Sequence, residues 1–299
     1  MVSSVNLNHA TPAAFYAHQA SRNDYYEIGL ELVDSGFEYF AGGGLKKVTG
    51  ADKDKTSLYD LAEAAAYKVT YTQADAEAVT ADDSKVILID EHLADSDAMD
   101  YEMDRVDGEW ALSDYAAKEH PEETLILVTG DHETGGLTIG FAGTDYDTYL
   151  DTLTNQKISY AQFDEQYMAS YKENLTSFED AMKDVEALFG LKMVGEENDR
   201  LVLTEYEIQR LRTAYDLSMT DYNVDEFTQE QYVLYGEYNP FSVTVTHILN
   251  NKSGVDFTSY SHTGLPVAVF ADGIGAEAFS GYYDNTEIYN RLAAMLGIN

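Results

Sequence analysis

Asp131 and His132 stand side by side in "LVTGDHETGGLTIG", directly after an apolar run of strand length. A carboxylate oxygen and an imidazole nitrogen both suit Zn²⁺, and Gly130, Gly135 and Gly136 would let backbone or substrate come close. Ligands of open α/β sheets sit beyond the carboxyl ends of the strands, which is where this pair falls. The alternative is a turn with a satisfied histidine, because the pair needs distant partners to complete a metal site.

Two other segments offer such partners. His262 lies in "SYSHTGLPVAVFADG", in a small polar turn before a strand, and "NHATPAAFYAHQASR" carries His9 and Thr11 at a strand-to-helix junction, with Arg22 further along. Each has an ordinary alternative: a loop histidine is usually exposed, a hydroxyl at a helix start is usually a cap, and an exposed arginine is usually a surface charge. The segments therefore point to a site only when they are taken together.

The elements that would position these residues alternate between strand-like and helix-like patterns. This order predicts an α/β fold with a mainly parallel sheet flanked by helices, in which "ETLILVTG" is the clearest buried strand. We predict an α/β core over residues 1–143, a Tyr-rich, acidic helical insertion over 144–235, and the C-terminal part of the core over 236–299. "FSVTVTHILNNKSG" fits strand or helix, and helix is favoured. A helix that starts near Pro12 is expected to end near Ser21.

Composition excludes several function classes. Lys and Arg number 18 against 54 Asp and Glu, a formal charge of −36, so binding to nucleic acid or to an anionic membrane surface is opposed. The absence of cysteine excludes disulfides, thiolate zinc sites and thiol nucleophiles. The start "MVSSVNLNHATPAAF" shows no signal-peptide pattern, and no apolar run is long enough to span a membrane, so we expect a soluble chain without a visible export signal.

Three segments resemble the alkaline phosphatases, specifically the bacterial type with a Tyr-rich helical insertion. They are "HATPAAFYAHQASR", "LVTGDHETGGLTIGFAGT" and "SHTGLPVAVFADGIGAEAFSGYYDNTEI", and they occur in the family's order. The resemblance implies hydrolysis of phosphate monoesters in which two Zn²⁺ and one Mg²⁺ hold the phosphoryl group while a serine alkoxide attacks it. It also implies a homodimer and a periplasmic or secreted location.

The same resemblance implies a role for each candidate residue. Asp131 and His132 would bind one zinc, and His262 would bind the other. Thr11 would bind the magnesium, with His9 in its outer shell. Arg22 would bind the phosphate oxygens. Asp131, His132 and His262 are then expected to converge, although 130 positions separate the two histidines.

Departures from the family pattern make the activity of this chain doubtful. The motif Asp-Ser-x-x-Ser-x-Thr, which contains the family's nucleophile, is not found, and neither Ser3, Ser4 nor Ser261 stands in such a context. An internal segment with Asp and His ligands is missing as well, so we expect an incomplete sheet. Asp90 and His92 in "LIDEHLADSD" are candidate substitute ligands, the alternative being an ordinary surface loop. An active hydrolase and a non-catalytic remnant that binds metal or phosphate both stay open.

Overall fold

The computed structural model describes residues 1–80, 82–104, 122–196 and 198–298. The chain forms two compact units, unit 1 over Met1–Val106 and unit 2 over Asp107–Asn299. The predicted boundaries after residues 143 and 235 stay a prediction. In the described part of the chain, no helix is long and apolar enough to cross a membrane.

Unit 1 is built on a parallel four-stranded sheet with the order β1-β2-β4-β3. Its strands are β1 (Val2–Ser3), β2 (Tyr39–Gly42), β3 (Lys68–Thr70) and β4 (Val86–Ile89). Its helices are α1 (Ala10–Ala13), α2 (Tyr25–Asp34), α3 (Leu58–Ala64) and α4 (Gln73–Glu77). All four residues of β4 are buried, as expected for a continuous apolar run inside a parallel sheet. The prediction of an α/β fold with a parallel sheet and flanking helices is confirmed.

The helices of unit 1 follow their local signals with one exception. Ser57 caps α3 by accepting a hydrogen bond from the backbone N–H of Tyr59, as its position predicts. The helix expected to run to Ser21 ends at Ala13 instead. Tyr16, just beyond its end, is buried and donates its hydroxyl to the Leu7 carbonyl at 2.5 Å, so a tertiary contact holds the chain there and the helix does not continue.

Unit 2 is mainly helical. Among the described residues its helices are α5 (Tyr160–Phe163), α6 (Ala169–Asn174), α7 (Phe178–Phe189), α8 (Glu205–Ser218), α9 (Gln229–Tyr235), α10 (Pro240–Ser253) and α11 (Thr286–Leu296). Helix α10 settles the ambiguous "FSVTVTHILNN" in favour of helix. Asn239 caps it by accepting from Phe241 and Ser242 N–H groups, and Pro240 occupies its first turn, which outweighs the β-branched residues.

An aromatic core joins helices α5, α6, α7, α8 and α10. Phe163, Phe189 and Phe241 are fully buried, and the ring of Phe163 lies 5.4 Å from that of Phe189. A π-helical segment, Asp164–Met168, links α5 to α6 and brings Asp164 into this interior. Burial raises the pKa of Asp164 to about 6, although a hydrogen bond from Ser242 opposes the shift, and its Oδ1 atom is buried without a hydrogen-bond partner.

The described strands of unit 2 form three two-stranded antiparallel sheets. Strand β5 (Leu125–Thr129) pairs with β10 (Val269–Gly273), β6 (Glu133–Thr134) with β9 (His262–Thr263), and β7 (Thr138–Ile139) with β8 (Val255–Asp256). The prediction that β5 is a strand is confirmed, but its expected burial is wrong. Val128 is 58% exposed, because β5 has one neighbouring strand among the described residues and belongs to no larger sheet. The sheet is therefore incomplete, as expected.

Candidate functional site

Asp131 and His132 follow β5 after one residue, Gly130, at the position that the sequence indicates. The Nδ1 atom of His132 lies 3.0 Å from the Glu133 carbonyl, and because a carbonyl only accepts, Nδ1 carries the proton that is donated. In the neutral ring Nε2 then holds the lone pair, and it lies 3.4 Å from Oδ2 of Asp131. The two side chains thus place a nitrogen atom and an oxygen atom, each able to bind a cation, next to one another.

His262 reaches the same place from β9. Its ring stacks on that of His132 with 3.6 Å between the centroids and 25° between the planes. The structure therefore brings Asp131, His132 and His262 together, while their roles as ligands stay a prediction. Both histidines are exposed, so the cluster lies at the surface of unit 2.

The antiparallel ribbon of β6 and β9 sets this arrangement. Glu133 pairs with Thr263, and Thr134 pairs with His262. The backbone N–H of Gly135 donates to the Ser261 carbonyl at 2.8 Å and extends the contact between the two segments. Gly135 and Gly136 have φ of 90° and 66°, in the left-handed region, so glycine is required for the turn that follows β6.

Glu133 and Thr263 are the residues of this site that sequence reasoning missed. The Thr263 hydroxyl donates to Oε2 of Glu133, and the Gly136 N–H donates to Oε1 at 2.5 Å. The hydrogen bond from Thr263 is the main cause that holds the pKa of Glu133 below its usual range, and the hydrogen bond from Gly136 adds to the effect. The available signal was an acidic residue just before paired glycines, whose turn N–H groups need an acceptor.

In unit 1, the structure brings His9 and Arg22 together. The Nη2 atom of Arg22 lies 2.9 Å from Nε2 of His9, and because arginine only donates, Nε2 accepts. The neutral ring then carries its proton on Nδ1, so Nδ1 cannot accept from the Thr11 N–H, whose nitrogen lies 3.5 Å away. Arg22 is exposed, and among the described residues no carboxylate forms an ion pair with it. The binding of phosphate oxygens by Arg22 stays a prediction.

Asp90 and His92 follow β4 in unit 1. Asp90 is buried, and its Oδ1 atom accepts the backbone N–H of His92 at 2.9 Å. The carboxylate therefore stabilises the turn after the strand, which favours a structural role for Asp90. Their service as substitute ligands stays a prediction.

The residues that the structure describes do not form a complete metal centre. The 3.4 Å between Asp131 Oδ2 and His132 Nε2 suits two donors of one ion, since zinc bonds to nitrogen and oxygen are about 2.0–2.2 Å long. A catalytic zinc usually has three protein ligands, however, and within the described ranges no three His, Asp or Glu side chains form a group that could hold a metal ion. His262 lies face to face with His132, so it does not complete the set.

Comparisons with known proteins assign the chain to a family. The family model described as alkaline phosphatase matches residues 40–298. The chain belongs to the alkaline phosphatase family. Alkaline phosphatase 3 of Bacillus subtilis (strain 168) is 26% identical over 353 aligned positions, which cover 100% of this chain and 68% of the relative.

Solved alkaline phosphatases share the fold. The cold-active enzyme of the psychrophile Shewanella sp. superposes with a TM-score of 0.70 at 22% identity, covering 99% of this chain and 74% of that one. A mutant of the TAB5 alkaline phosphatase, with Mg bound, gives a TM-score of 0.51 at 18% identity and covers 100% of this chain and 71% of that one. The alkaline-phosphatase-like α/β fold expected from the sequence is thereby confirmed.

Proposed function

We propose that this chain is an alkaline phosphatase-type protein whose substrates are phosphate monoesters. We also propose that the 299-residue polypeptide hydrolyses these substrates slowly or not at all. Family membership supports phosphatase-type hydrolysis. The geometry of the site supports the proposed weak activity. Asp131 and His132 offer two possible metal ligands, and the ring of His262 is stacked on that of His132. A site that lacks the third zinc ligand stabilises the charge on a transferring phosphoryl group poorly.

The absence of a matched nucleophile supports the same proposal. No Asp-Ser-x-x-Ser-x-Thr motif occurs in the 299 residues. Covalent catalysis divides one difficult displacement into two easier ones, and without it only water would attack. The alignment with the Bacillus subtilis relative spans 353 positions for a chain of 299 residues, so the relative carries residues that this chain lacks.

The contribution of the chain's own residues is to bind and orient the ester. Arg22 would donate two N–H groups to phosphate oxygens, and its contact with His9 holds the guanidinium near the start of α1. In unit 2, Asp131 and His132 would supply one oxygen and one nitrogen ligand for a cation, one fewer than a catalytic zinc usually has. Substrates would be recognised by their phosphate group, so we propose phosphate monoesters in general as the substrate class.

A second candidate function is binding without turnover. It is favoured by the exposed Arg22, which forms no carboxylate ion pair in the described part of a chain with a charge of −36. Such an arginine is available to an anion. In this case the polypeptide would bind inorganic phosphate or a cation while its hydrolytic rate stays at background.

The decisive experiment is steady-state hydrolysis of a chromogenic phosphate monoester, with and without added Zn²⁺ and Mg²⁺, beside the Bacillus subtilis relative. We expect kcat/KM to be roughly a thousandfold or more below that of the relative, as when a nucleophile is removed from an enzyme. Turnover comparable to the relative would contradict the proposed impairment and would point to Asp90 and His92 as replacement ligands.

Titration with inorganic phosphate tests the role of Arg22, which both candidate functions require. Arg22→Ala is expected to weaken phosphate binding about tenfold, because a charge-assisted bidentate contact is lost. Lys183→Ala removes one exposed positive charge elsewhere and serves as the matched control. Equal effects of the two substitutions would show that net charge, and not Arg22, governs binding.

A further inference from the structure

The ribbon that carries both histidines is very short. Its two strands, β6 and β9, have two residues each, and the paired positions are Glu133 with Thr263 and Thr134 with His262. A two-stranded ladder of this length is marginal in water, because few hydrogen bonds offset the entropy of ordering it. Something other than the ladder must therefore fix which residues face each other.

The alternation of side chains divides the ribbon into two faces. Successive residues of a strand point to opposite faces, so Glu133 and the opposed Thr263 share one face, while Thr134 and the opposed His262 share the other. His132 immediately precedes β6, and its ring stacks on that of His262 with 3.6 Å between the centroids. A slip of one residue would move His262 to the opposite face and separate the rings.

Glu133 joins the two strands on the face opposite His262. Its Oε2 accepts the Thr263 hydroxyl, while its Oε1 accepts the N–H groups of Gly136 at 2.5 Å and Leu137 at 3.4 Å. One carboxylate thus ties the glycine turn after β6 to a strand 130 positions away. Hydrogen bonds to an ionised acceptor are about twice as strong as neutral ones, so this contact strengthens a ribbon that has few others.

We propose that the Glu133 carboxylate and the Thr263 hydroxyl lock the register of the ribbon, and that both are positioning residues for the His132 and His262 pair. The inference rests on the proposed function, since it concerns the same site. Its test measures the geometry of the two rings and not turnover. If the chain proves to have no catalytic role, the test still shows whether Glu133 and Thr263 hold the two rings in place.

The first test measures the nuclear Overhauser effect between the ring protons of His132 and His262 in the full 299-residue chain. Thr263→Val removes the hydroxyl at constant shape, and we expect the ring-to-ring signal to be lost. Thr263→Ser keeps the hydroxyl and is expected to restore it. Thr134→Val is the matched control, because it makes the same substitution on the His262 face of the same ribbon.

The far-UV circular dichroism of every variant should match the parent, because the helical core of unit 2 does not include the ribbon. If Thr263→Val and Glu133→Ala both keep the signal at its original intensity, the lock is refuted. Loss of the signal in Thr134→Val to the same extent would also refute it, since any change in the ribbon would then suffice.

The second test replaces the lock by a covalent bond. The chain has no cysteine, so Glu133→Cys combined with Thr263→Cys creates one possible disulfide. Opposed residues of antiparallel strands have Cα atoms about 4.5–5.5 Å apart, which a disulfide spans. We expect the oxidised variant to show the ring-to-ring signal and the reduced variant to lose it. An oxidised variant without the signal, or a reduced variant that keeps it at full intensity, would overturn the proposal.

Discussion

Two parts of unit 2 differ in how their apolar side chains are covered. In the helical part, Phe163 is fully buried among other aromatic rings. In β5 and β10, Val128 is 58% and Phe270 67% exposed, and α11 has no buried residue. The helical part thus carries its own core. The described residues of β5 and β10 include no buried side chain, so hydrogen bonds such as those of Glu133 contribute a larger share of the order of the strands near the candidate site.

The largest difference between the two parts is expected when one phenylalanine in each is replaced by alanine. Phe163→Ala should lower the free energy of unfolding by about 3–5 kcal/mol, because it removes a buried ring and leaves a cavity. Phe270→Ala should change it by less than about 0.5 kcal/mol, since that side chain is exposed. Urea unfolding followed by far-UV circular dichroism checks both. Similar losses would show that β10 is buried in solution.

The buried carboxyl of the helical part provides the next test. With its pKa raised to about 6, folded Asp164 retains its proton at pH values where an unfolded aspartate has lost it. The folded state then binds more protons than the unfolded state, so stability from this group is present at low pH and falls as pH rises toward and through 6. Asp164→Asn removes the effect.

We therefore expect the stability of the parent relative to Asp164→Asn to fall by about 2 kcal/mol between pH 4.5 and 7.5. Urea unfolding of both proteins at several pH values measures the difference. Glu165→Gln changes the exposed neighbouring carboxylate and should leave the pH profile as in the parent. Parallel profiles for the parent and Asp164→Asn would show that Asp164 is solvated.

The smallest expected effect compares two helix starts. Thr204 caps α8 in a capping box with Glu207, whereas Asn285 before α11 makes no side-chain capping hydrogen bond. Thr204→Ala should cost about 1 kcal/mol and lower the thermal midpoint by about 2–4 °C. Asn285→Ala should leave the midpoint nearly unchanged. Thermal scans by circular dichroism decide, and equal shifts would show that α11 is capped in solution.

Much of the fold follows from local sequence signals. Ser57 and its following amphipathic run predict α3, and Asn239-Pro240 initiates α10 despite the β-branched residues that follow. Such signals work because a helix cap is satisfied within a few residues. The long helix expected after Pro12 failed for the opposite reason, since Tyr16 forms its hydrogen bond with Leu7, outside any helix.

The sequence by itself determined the family, through three separated motifs, and it placed Asp131, His132 and His262 among the candidates. Only the tertiary structure decided that the two histidines stack and that Glu133 meets Thr263 across 130 positions. It also decided that β5 is exposed. Register and burial depend on which distant segments become neighbours, and residue type and spacing along one strand do not contain that information.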